Sequence, residues 1–125
     1  MTLTRSLPGM ARRVHVAINV TDLDAAVAFY EALFAAKPAK VVEGFAKFEV
    51  DEPNVNLALT EVEGPPAAGV LSHLGWQVDD AAAVAGYARR WQEAELPTRT
   101  GESVAGQDKV WAYDPDGNEW EVFFE

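Results

Sequence analysis

From residue 14 the chain alternates in register. Val14, Val16, Ile18 and Val20 are apolar, while His15, Ala17 and Asn19 between them are polar or small. A period of two predicts a strand with one face buried. The alternation ends at Asp22, a residue able to cap a helix by accepting from its free amides. Leu23, Val27, Tyr30, Leu33 and Phe34 then recur at helical spacing. Three short strands follow, at Lys40–Val42, Phe45–Val50 and Val55–Glu61.

The same programme then runs again. Leu74, Trp76 and Val78 alternate with His73, Gly75 and Gln77, and Asp80 stands where a cap is needed. Val84, Tyr87 and Trp91 form the second helical stripe, which Leu96-Pro97 closes because proline cannot continue it. The last strands fall at about Thr98–Thr100, Lys109–Tyr113 and Glu119–Phe124, with Asp114-Pro-Asp-Gly117 as a turn between the final two. Aligning His73 with His15 pairs Val20 with Val78, Asn19 with Gln77 and Asp22 with Asp80. A duplication of this kind fixes architecture before any local detail. The expected fold is α+β, two tandem βαβββ modules forming a concave mixed sheet with helices on its outer face. The expected organisation is a flexible N-terminal extension over residues 1–13 and a single domain over 14–125. Within it, module one spans 14–63, a linker 64–71 and module two 72–125.

Alternation also sorts side chains onto faces. The core face takes Val14, Val16, Ile18, Val20, Val55, Leu57, Leu59, Leu74, Trp76, Val78, Trp120, Val122 and Phe124. The opposite face collects His15, Ala17, Asn19, Asn56, Ala58, Thr60, His73, Gly75, Gln77, Glu119, Glu121 and Phe123. Small and polar groups on a concave face leave room for a ligand. The chain has two histidines, and both take the same place in the repeat. An isolated strand histidine is ordinarily a hydrogen-bonded surface residue. Matched registers and a shared face turn the balance toward metal ligation. Glu121, mid-strand with the same parity, is the best third ligand; Glu119 and Glu125 sit at strand ends. Two imidazoles and one carboxylate make a facial triad with open positions, the arrangement of non-haem Fe(II) oxygenases.

Composition narrows the chemistry. There is no cysteine, so a metal must rest on imidazole and carboxylate, and disulfides are excluded. A formal charge of −10 without a basic stripe speaks against nucleic acid as a partner. No stretch reaches membrane-spanning length, and the first thirteen residues lack the apolar core of a signal peptide. The expected setting is the cytoplasm, with no membrane partner and a small molecule as substrate.

His15-Val-Ala-Ile-Asn-Val20, Leu23-Asp-Ala-Ala-Val-Ala-Phe-Tyr30, His73-Leu-Gly75 and Asp114-Pro-Asp-Gly-Asn-Glu-Trp-Glu121 resemble the vicinal oxygen chelate superfamily of glyoxalases, extradiol dioxygenases and bleomycin-resistance proteins. Gln107-Asp-Lys-Val-Trp111 resembles more particularly the cadmium-induced-protein and organoarsenical-lyase branch. The resemblance implies metal ligands at His15, His73 and Glu121, brought together by the two modules of one chain, and a homodimer, in which strand exchange between subunits could also build the site. Two departures stand out. The arsenical-lyase branch carries a vicinal cysteine pair in the loop matching Gly101–Gly106, absent here. Glyoxalase I enzymes use a further fourth-strand ligand, and its matching place is near Ala58, which cannot ligate.

The expectation is therefore a metal-dependent enzyme, dioxygenase-like or lyase-like, acting on a small chelating substrate. Fe(II) is favoured; Mn(II), Ni(II) or Zn(II) also suit the ligands. Asn19, Asn56, Ala58, Thr60, Gln77, Lys109 and Phe123 are candidate pocket residues, and Glu119 is a weak candidate for a general base. Trp111 and Tyr113 have no assigned face, since a bulge at the adjoining turn would shift their parity. The alternatives are a non-catalytic ligand-binding protein of the bleomycin-resistance type and a glyoxalase-type isomerase.

Overall fold

The computed structural model describes residues 13–64, 71–102 and 108–124. Most of the expected N-terminal extension, most of the expected linker and residues 103–107 lie outside the described residues. Each module contains the expected elements in the expected order. The first has β1 (Val14–Val20), α1 (Leu23–Phe34), β2 (Lys40–Val42), β3 (Phe45–Asp51) and β4 (Asn54–Glu61). The second has β5 (Leu74–Gln77), α2 (Ala81–Glu93), β6 (Thr98–Glu102), β7 (Asp108–Tyr113) and β8 (Glu119–Phe123). Each module closes its own four-stranded mixed sheet, in the orders β1-β4-β3-β2 and β5-β8-β7-β6. The helix is the crossover that lets first and last strands pair in parallel, β1 with β4 and β5 with β8.

Both helices start as their sequences dictate. Asp22 accepts from Ala25 N at 3.1 Å and Asp80 from Ala83 N at 2.9 Å. Glu61 adds a second acceptor for α1, taking Leu23 N at 2.9 Å. Apolar strand positions meet the helical stripes in one core, with Val20, Leu57, Leu59, Val110 and Val122 fully buried. Val14, expected in that core, is instead 66% exposed. It is the first residue of β1, an edge strand whose later apolar positions, Ile18 and Val20, are the buried ones.

The two modules are held together by polar as well as aromatic contacts. Phe34 and Tyr30 of α1 pack edge-on to Trp120 of β8 at 5.8 and 5.9 Å between centroids. Trp91 Nε1 of α2 donates to the Leu33 carbonyl at 3.0 Å, satisfying a helix-end acceptor that has no partner within α1. Tyr30 Oη donates to buried Asp114 at 2.7 Å and accepts from Trp120 Nε1 at 3.0 Å. Asp114 also accepts from the backbone amides of Asp116 and Asn118 and from Asn118 Nδ2, so the Asp-Pro-Asp-Gly turn is wound around its carboxylate. Asp116 takes Thr21 N and Oγ1 across the module boundary.

Candidate metal centre

Pairing fixes which polar residues share a row. In the first sheet His15 lies opposite Asn56, Ala17 opposite Ala58 and Asn19 opposite Thr60. In the second, Gly75 lies opposite Glu121 and Gln77 opposite Phe123, while β7 brings Lys109 beside Phe123 and Trp111 beside Glu121. The expected pocket is thus divided. Asn19, Asn56, Ala58 and Thr60 stand on one sheet, and Gln77, Lys109 and Phe123 on the other.

His73 and Glu121 come together. Nε2 of His73 is 3.3 Å from Glu121 Oε1, and Glu119 Oε2 is 3.9 Å from Nδ1. Lys109 Nζ sits 3.5 Å from the other Glu121 oxygen. Glu121 is 9% exposed, an unusual depth for a carboxylate, and the Lys109 ammonium offsets its charge. Gly75 is what allows β5 to approach: a Cβ there would stand 2.3 Å from the Glu121 carbonyl oxygen.

His15 does not join that group. Among the described residues no three His, Asp or Glu side chains sit together as a metal-holding group within the single chain. The two histidines are nevertheless prepared alike. Nδ1 of His15 lies 2.9 Å from Asn56 Oδ1, and Nδ1 of His73 lies 3.0 Å from Ser72 Oγ. Asn56 Oδ1 accepts from His15 Nδ1 and leaves the Nε2 lone pair for a cation, whereas Ser72 Oγ, a hydroxyl that donates or accepts, orients the His73 ring. The donor chemistry therefore fits a divalent ion, although each sheet supplies only part of a coordination set.

Sequence reasoning missed Ser72 and Arg99. Ser72 announces itself only by adjacency to His73. Arg99 lies opposite Trp111, its guanidinium carbon 3.8 Å from the indole centroid and its Nε donating to Tyr113 Oη at 3.0 Å. The pairing of β7 with β8 runs unbroken from Lys109↔Phe123 to Tyr113↔Glu119. No bulge intervenes, so Trp111 and Tyr113 share the face of Glu121.

The sequence matches the profile of the Glyoxalase/Bleomycin resistance protein/Dioxygenase superfamily over residues 12–122. It is 44% identical over 115 residues to a trivalent organoarsenical cleaving enzyme of Thermomonospora curvata, covering 89% of this chain and 76% of that protein. It is 43% identical over 115 residues to the cadmium-induced protein CadI of Mycobacterium bovis, covering 89% and 74%. In fold it is similar to a variant of the fosfomycin resistance protein FosX from Listeria monocytogenes, complexed with Mn(II) and 1S,2S-dihydroxypropylphosphonic acid. There the TM-score is 0.68 at 18% identity, over 94% of this chain and 90% of the other. No helix among the described residues is long and apolar enough to cross a membrane.

Proposed function

The chain belongs to the glyoxalase/bleomycin resistance protein/dioxygenase superfamily, and from that membership we propose a divalent-metal-dependent enzyme for a small substrate that chelates through adjacent oxygens. His73 and Glu121 of one copy and His15 of a second copy hold the cation, which makes the working unit a homodimer. The observation that carries this reading is the matched preparation of the two imidazoles, each with Nδ1 against an oxygen, on sheets that do not join their ligands within one chain.

A bound divalent ion supplies Lewis acidity and a template for two substrate oxygens. Fe(II) suits two imidazoles and a carboxylate best, with Mn(II), Ni(II) or Zn(II) as substitutes. The chain's own groups do the rest. Asn56 and Ser72 orient the imidazoles, and Lys109 holds one oxygen of Glu121. Glu119, beside His73 and with its side chain 25% exposed, is the carboxylate available to take a substrate proton. Chemistry of the dioxygenase or lyase type follows. Capture of trivalent arsenic as a thiolate, an obvious thought given the organoarsenical cleaving relative, has no cysteine to rest on.

The test is metal titration by calorimetry with sedimentation of the same samples. Wild type should bind Mn(II) at two sites per dimer, and His15→Ala and His73→Ala should each lose binding. Co-refolding the two variants regenerates one intact site in each mixed dimer. By statistics of a twofold assembly, about a quarter of wild-type capacity returns. No recovery, or a monomer that binds fully, refutes the shared site. A second reading, ligand sequestration without turnover, is favoured by the lack of a three-ligand group among the described residues of one chain; it requires that wild type bind no metal at all.

A further inference from the structure

Three strands of the second sheet carry one row across the open face: Arg99 of β6, Trp111 of β7 and Glu121 of β8. Neighbouring strands are about 4.8 Å apart, so the first and last backbones of the row are separated by roughly 10 Å. Arg99 does not extend freely. Its guanidinium lies on the Trp111 indole, and Nε is tied to the Tyr113 hydroxyl. Trp111 in turn is seated over Gly101, where a Cβ would stand 3.2 Å from the ring. Plane and position of the guanidinium are therefore set, while its terminal amines have no hydrogen-bond or ion-pair partner among the described residues.

Arg13, Lys47 and Lys109 each have a carboxylate within 4 Å. Arg99 has an aromatic platform instead. A guanidinium held by stacking, with no partner for its fork among the described residues, is suited to bidentate pairing with a planar oxyanion.

We propose that Arg99, braced by Trp111 and Tyr113, is a recognition subsite for the carboxylate of a small organic acid whose chelating oxygens lie at His73 and Glu121. This deepens the reading above and rests on it. A divalent ion with Arg99 and Lys109 against Glu119 and Glu121 leaves the open face net positive, so an anionic substrate is favoured despite the charge of the whole chain. The selectivity is for length and charge together: an acid group on the far side of a ring from its two oxygens.

Catechol and 3,4-dihydroxybenzoate share a chelating head and differ in that carboxylate. Calorimetric titration of both into Mn(II)-loaded wild type should show the acid binding at least about tenfold tighter, the gain expected of one charge-assisted pair. In Arg99→Gln the two should bind alike. Arg99→Lys, which keeps the charge without the fork, should retain a preference of about threefold and replaces the glutamine variant if that one is unstable. Equal affinities in wild type, no binding of either compound, or a preference that survives Arg99→Gln overturns the proposal. The pair is also titrated into metal-free protein, and Mn(II) alone into wild type. Failure of metal binding is then read separately from failure of acid selection.

Discussion

Replacing Tyr30 by Phe removes one oxygen that serves both modules. Tyr30 is fully buried on α1, and its hydroxyl connects Asp114 and Trp120 of the second module. A hydrogen bond to a buried carboxylate contributes about 1.5–3 kcal/mol, and the indole N–H left without its acceptor adds about 1 kcal/mol. Asp114 keeps three N–H donors, from Asp116, Asn118 and the Asn118 side chain. Its carboxylate therefore stays hydrogen-bonded, and the larger cost of an uncompensated buried charge does not arise. The expected loss is about 3 kcal/mol. For a domain of this size that corresponds to roughly 10 °C in Tm. Urea unfolding followed by circular dichroism measures it directly. The pH dependence gives a second check. Burial first, then the charge of Asp114 and the hydrogen bond to it, raise the Tyr30 phenol well above its ordinary value of 10.0. The folded protein keeps this proton where the unfolded chain loses it. Stability from proton retention is thus complete below pH about 10 and falls above it, by up to about 1.4 kcal/mol per pH unit for this one group. The phenylalanine variant lacks that slope, so its deficit against wild type should shrink between pH 10 and 11. A loss under about 1 kcal/mol at pH 7, or a deficit constant across that interval, refutes the account.

Two further substitutions probe the site. Gly75→Ala drives a methyl group into the Glu121 backbone across a parallel ladder that cannot give, and should cost about 2 kcal/mol while weakening Mn(II) binding, as thermal melts and calorimetry would show. Asn56→Ala frees Nδ1 of His15 and with it the tautomer, so metal affinity should fall about 10–100-fold with the melting temperature little changed.

Much of this was legible before any coordinates. Alternation and the spacing of caps give the ten elements, because both are local and physical: a period of two, a period near 3.6, and an Asp where free amides need an acceptor. The duplication extends each assignment from one half to the other. What one dimension cannot carry is rotation between units. Parity places His15 and His73 on the concave face, away from the helices, but it is silent on which sheet edge meets which. The expected meeting of both within one chain was a statement about module packing. That packing is decided by Tyr30, Asp114, Trp120 and Trp91, side chains from distant segments whose partnership no periodicity encodes. Asp114 reads in sequence as half of a turn signal; its role as acceptor for four donors appears only when the turn closes on α1. Arg99 was invisible for a related reason. A strand arginine is ordinarily solvated, and only its register beside Trp111 sets it apart.

The registers also expose an asymmetry within the duplication. Ala17 opposite Ala58 in the first sheet is the counterpart of Gly75 opposite Glu121 in the second. Ala58 therefore occupies the place that Glu121 occupies in its own module. The first half offers a cation an imidazole and an amide, and the second offers an imidazole and a carboxylate. If the two halves of different copies share one ion, the missing carboxylate at position 58 is what leaves a coordination position open. Ala58→Glu should then supply a fourth protein ligand, since the side chain starts in the row flanked by Ala17 and Lys47. Mn(II) should bind about tenfold tighter, because a second carboxylate offsets more of its charge. Affinity for a chelating ligand such as catechol should fall as the open position is lost. Tighter metal binding with catechol affinity undiminished would mean that position 58 does not border the ion, and that the two modules are not matched across copies in the way their registers imply.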